Sequence, residues 1–158
     1  MLENSALTAA DLMTREVITV HPETGLREAA LRLVKARISG MPVVDEHHRV
    51  VGIISEGDLV RWTEELTPQQ SWWLNMLADG FDLAPEFLEQ IRSVHAIVRA
   101  VMHTGVITVQ ESTPARDIAK LMSEHHFKRV PVVKDGRLVG IVARADLVKA
   151  LAESFRGA

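Results

Sequence analysis

The segment VGIISEGDLVR at 51–61 is written a second time, as VGIVARADLVK, at 139–149. This constrains the fold before any element is assigned, because repeated units share one structure and bury a common core. Residues 13–44 align with 102–133, and residues 49–61 with 137–149, with 18 identities over 45 positions. The identities include Met13/Met102, Val17 to Val20/Val106 to Val109, Gly52/Gly140 and Asp58/Asp146. The one length change falls at DEHHR against KDGR, where a turn belongs.

Each copy reads as β-α-β-β-α. A β-rich VITV is followed by a turn cluster, HPETG or QESTP, and then by a helix. Leu26, Ala29, Ala30, Leu33 and Val34 share one face of the first helix, as Ala115, Ile118, Ala119 and Met122 do in the second. Pro-Val-Val and RVVGIIS or RLVGIVA form a hairpin, for which Asp135-Gly136 is a two-residue turn signal. A closing helix is expected near Asp58 or Asp146. One unit of roughly 50 residues is marginal alone. The expected fold is therefore α/β (α+β), with two pseudo-symmetric repeats at 8–62 and 99–152 packed sheet to sheet.

Residues 63–98 have no counterpart and read as a helical insert. Thr67-Pro68 and Ala84-Pro85 suit helix starts, and Trp72, Trp73, Met76 and Leu77 fall at helical spacing. Three roles are open for these tryptophans: docking the insert on its own core first, then a subunit interface, where Trp is enriched, and last a cofactor box.

Composition narrows the function. A net charge of −3 gives no basic patch for nucleic acid or an anionic membrane. The absence of cysteine removes disulfides, thiolate metal sites and a thiol nucleophile. The start MLENSALTAADLM lacks a signal-peptide pattern, and no apolar run reaches the roughly 18–20 residues of a membrane helix. A cytoplasmic location, with neither nucleic acid nor membrane as partner, is expected. Gly-x-Ser-x-Gly, Walker and GxGxxG sequences are missing, so neither catalysis nor a catalytic cofactor is expected. Glu28, Asp117, Asp45 and Asp135 read as solvated. Adjacent His47-His48 and His125-His126 read as solvated or capping rather than metal ligands. His103, close to VITV, is a candidate for a ligand phosphate.

The motifs now on the page resemble the CBS-domain family, whose tandem pairs are called Bateman modules. The series is D-L-M-T (11–14) or A-V-M-H (100–103), V-I-T-V, MPVVD or VPVVK, and the G-h-x-h-[ST]-x-x-D signature at Gly52 to Asp58. The WWL and LAPEF segments of the insert resemble the linker of a bacterial subgroup. The resemblance implies a regulatory module that binds an adenosyl ligand in clefts between the repeats. AMP or ATP come first, with ADP, NAD and S-adenosylmethionine also open. It further implies a homodimer and signalling by conformational change to an unidentified regulated protein. The alternative is a non-catalytic dimerisation scaffold with degenerate sites.

Ser55-x-x-Asp58 also fits a helix cap. In the second copy Ala143 replaces the serine while Asp146 stays, which favours an acceptor role such as binding both hydroxyls of a ribose. Free N–H groups at the helix start suit phosphate. Met41-Pro42-Val43 and Val130-Pro131-Val132 are candidate apolar walls and edge-strand groups for a base. The resemblance places Ile18, Thr19, Ser55 and Asp58 in one site and Ile107, Thr108, Arg144 and Asp146 in the other. It puts Lys128 and Arg129 at phosphate-meeting positions, where the first copy has Ser39 and Gly40. Glu56 stands where the second copy has Arg144, so the Arg144/Asp146 site is expected to be the tighter one for phosphorylated ligands.

Overall fold

In the computed structural model, which describes residues 7–64 and 96–156, the two copies fold alike. In chain order the elements are α1 (Ala9–Leu12), α2 (Leu26–Ala36), β1 (Gly40–Val44), β2 (Val50–Ser55) and α3 (Glu56–Glu64). They continue with α4 (Val98–Val101), β3 (Val109–Gln110), α5 (Ala115–His125), β4 (Arg129–Lys134), β5 (Arg137–Ala143) and α6 (Arg144–Arg156). The fold is α+β with two sheets, as the repeat implies. The Trp-bearing stretch of the insert lies outside the described residues.

Apolar periodicity sets the helices. α2 buries Leu26, Ala29 and Leu33, and α5 buries Ala115, Ile118 and Met122. Val34 departs from the expected face and is 76% exposed. At 3.6 residues per turn it lies about 80° round the helix from Leu26, at the edge of the stripe. Both helices stop at a left-handed residue, Arg37 at φ 55° and His126 at φ 56°. β1 pairs antiparallel with β2, and β4 with β5, each pair carrying one bulge. In the second hairpin Asp135 (φ 52°) and Gly136 (φ 80°) supply the two left-handed residues that its tight turn requires.

VITV departs from the expected strand. Only its last residue pairs: Val20 bridges Val43 in parallel, and Val109 opens the two-residue β3 beside β4. The three residues before each valine take no strand pairing; Val17 and Ile18, and Val106 and Ile107, border the clefts described below.

The leading segments are exchanged between the copies. Val98 completes the core of Val20, Leu26, Ala29, Leu33, Met41, Val43 and Ile54. Ala9 and Met13 join Val109, Ile118, Met122, Val130, Val132 and Val142 in the other core. Backbone bonds tie each segment across. The Val98 N–H donates to the Thr24 carbonyl (2.8 Å), and the Ala9 N–H to that of Thr113 (2.9 Å). Ile53 and His103 exchange two bonds of 2.9 Å, and Thr14 with Ile141 repeats the pattern at 2.9 and 3.0 Å. The repeated glycine follows from this exchange. A Cβ on Gly52 would lie 2.8 Å from the His103 carbonyl oxygen and from Met102 Sδ. One on Gly140 would lie 2.8 Å from Met13 Cγ, with Sδ closer still. Met102 and Met13 are themselves a repeated pair, so glycine and methionine recur together. Among the described residues, no helix is long and apolar enough to cross a membrane.

Candidate functional site

α3 and α6 begin directly after β2 and β5, which places an aspartate in each first turn. Asp58 Oδ2 accepts from the Ser55 N–H (2.8 Å) and the Ser55 hydroxyl (3.0 Å). Asp146 Oδ2 accepts from the Ala143 N–H at 2.7 Å. This is the reach-back half of a capping box, and it needs no serine. It accounts for the retained aspartate without any ligand, a possibility that weighing only the serine cap overlooks. Asp58 is 4% exposed, and its Oδ1 bonds Arg61 and lies 3.7 Å from His103 Nε2. Asp146 is half-buried and borders a cleft.

Two clefts among the described residues flank these helix starts, and Asp58 itself does not line the first. In the first, about 540 Å³, the start of α3 (Ser55, Glu56, Gly57 and Arg61) faces His103 to Ile107, and His125 to Arg129 close one side. In the second, about 470 Å³, Ala143 to Asp146 face Glu16 to Ile18, with Arg37 to Gly40 alongside. Each cleft thus joins the closing helix of one copy to the leading segment of the other. The copy-by-copy grouping is corrected: Ile107 sits with Ser55, and Ile18 sits with Arg144 and Asp146. Segment exchange is the physical cause.

Several expected wall residues lie elsewhere. Met41, Val43, Val130 and Val132 are 0% exposed and belong to the cores, because both faces of β1 and β4 are covered. Pro131 is also fully buried; of this group only Pro42, itself buried, touches a cleft, the second. Neither Thr19 nor Thr108 borders a cleft, and the Thr19 carbonyl accepts from Arg32 at 2.6 Å. The apolar walls come instead from Ile53, Val106, Ile107 and Phe127 in the first cleft and from Val17, Ile18, Ile38 and Ile141 in the second. Ile53 and Ile141 were available to sequence reasoning as a repeated pair beside the repeated glycine. The His125 and Phe127 rings stack at 5.1 Å.

Lys128 and Arg129 border both clefts rather than one. Arg129 donates to Ser39 Oγ across the boundary between the copies. Burial lowers its pKa while the charges of Glu56 and Asp58 oppose that shift, and a guanidinium stays cationic regardless. His103 borders the first cleft with a 75% exposed side chain. No cluster of three or more His, Cys, Asp or Glu fit for a metal occurs among the described residues.

Comparison with known proteins places this geometry. The CBS domain family matches residues 9–65 and 98–153. Protein MJ1426 of Methanocaldococcus jannaschii is 34% identical over 150 residues, covering 89% of each chain. The chloroplastic CBS domain-containing protein CBSX2 of Arabidopsis thaliana is 30% identical over 155 residues, 94% of this chain but 65% of that protein's length. The crystal structure of CBSX2 as a CBS-pair protein superposes with a TM-score of 0.72 at 30% identity, over 98% of this chain and 100% of that one. Another CBSX2 structure, in complex with AMP, gives 0.70 at 29% identity over 93% and 97%. The CBS domain pair of MJ0100, with 5′-methylthioadenosine and S-adenosyl-L-methionine, gives 0.67 at 27% over 94% and 98%. With both copies of the repeat matched and relatives at this level of identity, the chain belongs to the CBS-domain family as a tandem pair.

Proposed function

We propose that the chain is a regulatory module, without catalysis of its own, that takes an adenosyl ligand in its two clefts. The observation that carries this reading is the shape of each cleft. Apolar side chains face a helix start, and basic groups stand between them, which suits a base at one end and an anion at the other. Neighbouring structures that hold AMP, or methylthioadenosine with S-adenosylmethionine, support the ligand class. AMP or ATP are the first choices, followed by ADP, NAD and S-adenosylmethionine.

The second cleft is the tighter one for phosphorylated ligands in this reading. Arg144 can grip phosphate bidentately and Asp146 can meet a ribose, whereas Glu56 repels phosphate in the first. There a ribose would have to displace Arg61 from Asp58 Oδ1. Signalling follows if ligand binds two arrangements of the repeats unequally. A homodimer, a cytoplasmic location, an unidentified regulated protein and kinship of the insert with the bacterial subgroup complete the proposal.

Thermal melting of wild type, Arg144→Ala and Glu56→Ala against those five ligands tests it. At 100 Kd, ligand linkage supplies about 2.7 kcal/mol, which raises Tm by roughly 5–10 °C at this size. A rise with one adenosyl ligand that Arg144→Ala reduces supports the sensor. No rise with any of them overturns it and leaves the dimerisation scaffold.

A further inference from the structure

The two clefts are separate volumes, but two of their cations are common to both. Ser39, Lys128 and Arg129 line both. The internal repeat pairs Gly40 with Arg129, and the structure gives the reason for so unequal a pair. A Cβ at Gly40 would stand 2.6 Å from Arg129 Cζ, and closer to Nη1. Near the pseudo-twofold axis there is room for one long side chain, not for a symmetric pair. That side chain spans the boundary to Ser39 Oγ and feels the Glu56 and Asp58 carboxylates on the far side. Lys128 is exposed, so solvent screens it and it cannot duplicate this role.

We infer that Arg129 is the common anion-binding group of both clefts, so that a phosphate-bearing ligand in one cleft weakens the other for ligands of the same class. The inference rests on the nucleotide-site reading of the clefts. A first phosphate takes the guanidinium fork. A second meets a cation already neutralised, together with a like charge across the axis at reduced dielectric. Arg144 belongs to the second cleft alone, so that cleft fills first and the first cleft fills later. Coupling depends on the phosphate, so an uncharged nucleoside escapes it. The module thereby spreads its response over a wider range of ligand concentration than two independent sites would.

Isothermal titration of the whole chain with AMP and with adenosine decides the matter. Ile18, 42% exposed at the second cleft, is changed to Trp to block that cleft. AMP should enter the first cleft of Ile18→Trp at least about fivefold more tightly than it makes its second binding step in wild type. Adenosine should show no such difference. Arg129→Ala should weaken AMP in both clefts and abolish the coupling. Gly40→Ala, which pushes the guanidinium off the axis while keeping the charge, should do the same if Arg129→Ala fails to fold. Equal first-cleft affinity in wild type and Ile18→Trp overturns the inference, as does weakening of only one cleft. Adenosine binding without AMP binding also overturns it. Failure of both ligands to bind wild type overturns this inference, and failure of ATP, ADP, NAD and S-adenosylmethionine as well overturns the reading of the clefts as nucleotide sites.

Discussion

Gly52→Ala and Gly140→Ala change repeat-equivalent residues, yet the structure predicts unequal costs. At Gly52 the new methyl group would stand 2.8 Å from the His103 carbonyl oxygen. Comfortable C···O approach is about 3.3–3.6 Å, so the backbone must retreat by roughly half an ångström. That backbone is held by the paired 2.9 Å bonds between Ile53 and His103, which must stretch. Overpacking costs about 1–3 kcal/mol, and a weakened hydrogen bond costs about 0.5–1.5 kcal/mol. Reduced freedom of the unfolded chain returns about 0.4–1 kcal/mol. The net loss is roughly 2–3 kcal/mol, or a Tm lower by about 6–10 °C at this chain length. At Gly140 the three nearest atoms all belong to the Met13 side chain. An unbranched thioether can change rotamer, so the cost is about 1 kcal/mol. Urea unfolding followed by circular dichroism, with the m-value checked for constancy, measures both. If Gly52→Ala is as stable as wild type, or Gly140→Ala loses more, the packing of the exchanged segment over glycine is not what holds these positions.

Asp58→Ala should cost about 2 kcal/mol and Asp146→Ala about 1 kcal/mol in the same assay, since the first strips a buried, multiply bonded carboxylate and the second only a reach-back cap. Gly136→Val, at φ 80°, should lose about 1–2 kcal/mol through backbone strain; equal stability would show that the turn relaxes freely. The Arg49 N–H, helped by that of His47, holds the Asp45 carboxyl below its ordinary value of 3.8, with desolvation opposing. Its stabilisation is therefore complete above that pH and is lost as pH falls through the depressed value. The stability gap between wild type and Asp45→Ala should shrink as pH falls from about 5 through the depressed value, and a gap that stays constant would remove the carboxylate from the turn's energetics.

The sequence alone carried the internal repeat, helices α2, α3, α5 and α6, the Asp135-Gly136 turn and the family, because these rest on local periodicity, turn chemistry and motifs acting over a few residues. It also named Ile18, Ser55, Ile107, Lys128, Arg129, Arg144 and Asp146, all of which border the clefts. What it could not decide was which of them meet. Grouping by copy follows chain neighbourhood, whereas the real clefts pair segments roughly 50 to 130 residues apart. Met41, Val43, Val130 and Val132 look like walls in a string of apolar letters, and become core only when helices and exchanged segments cover both strand faces. The carboxylate of Asp58 resembled a free acceptor until the N–H of Ser55 was found to occupy it. Two copies of one motif can be read from the chain; that one arginine borders both clefts, in space that a side chain on Gly40 would have to share, was decided only by the tertiary structure.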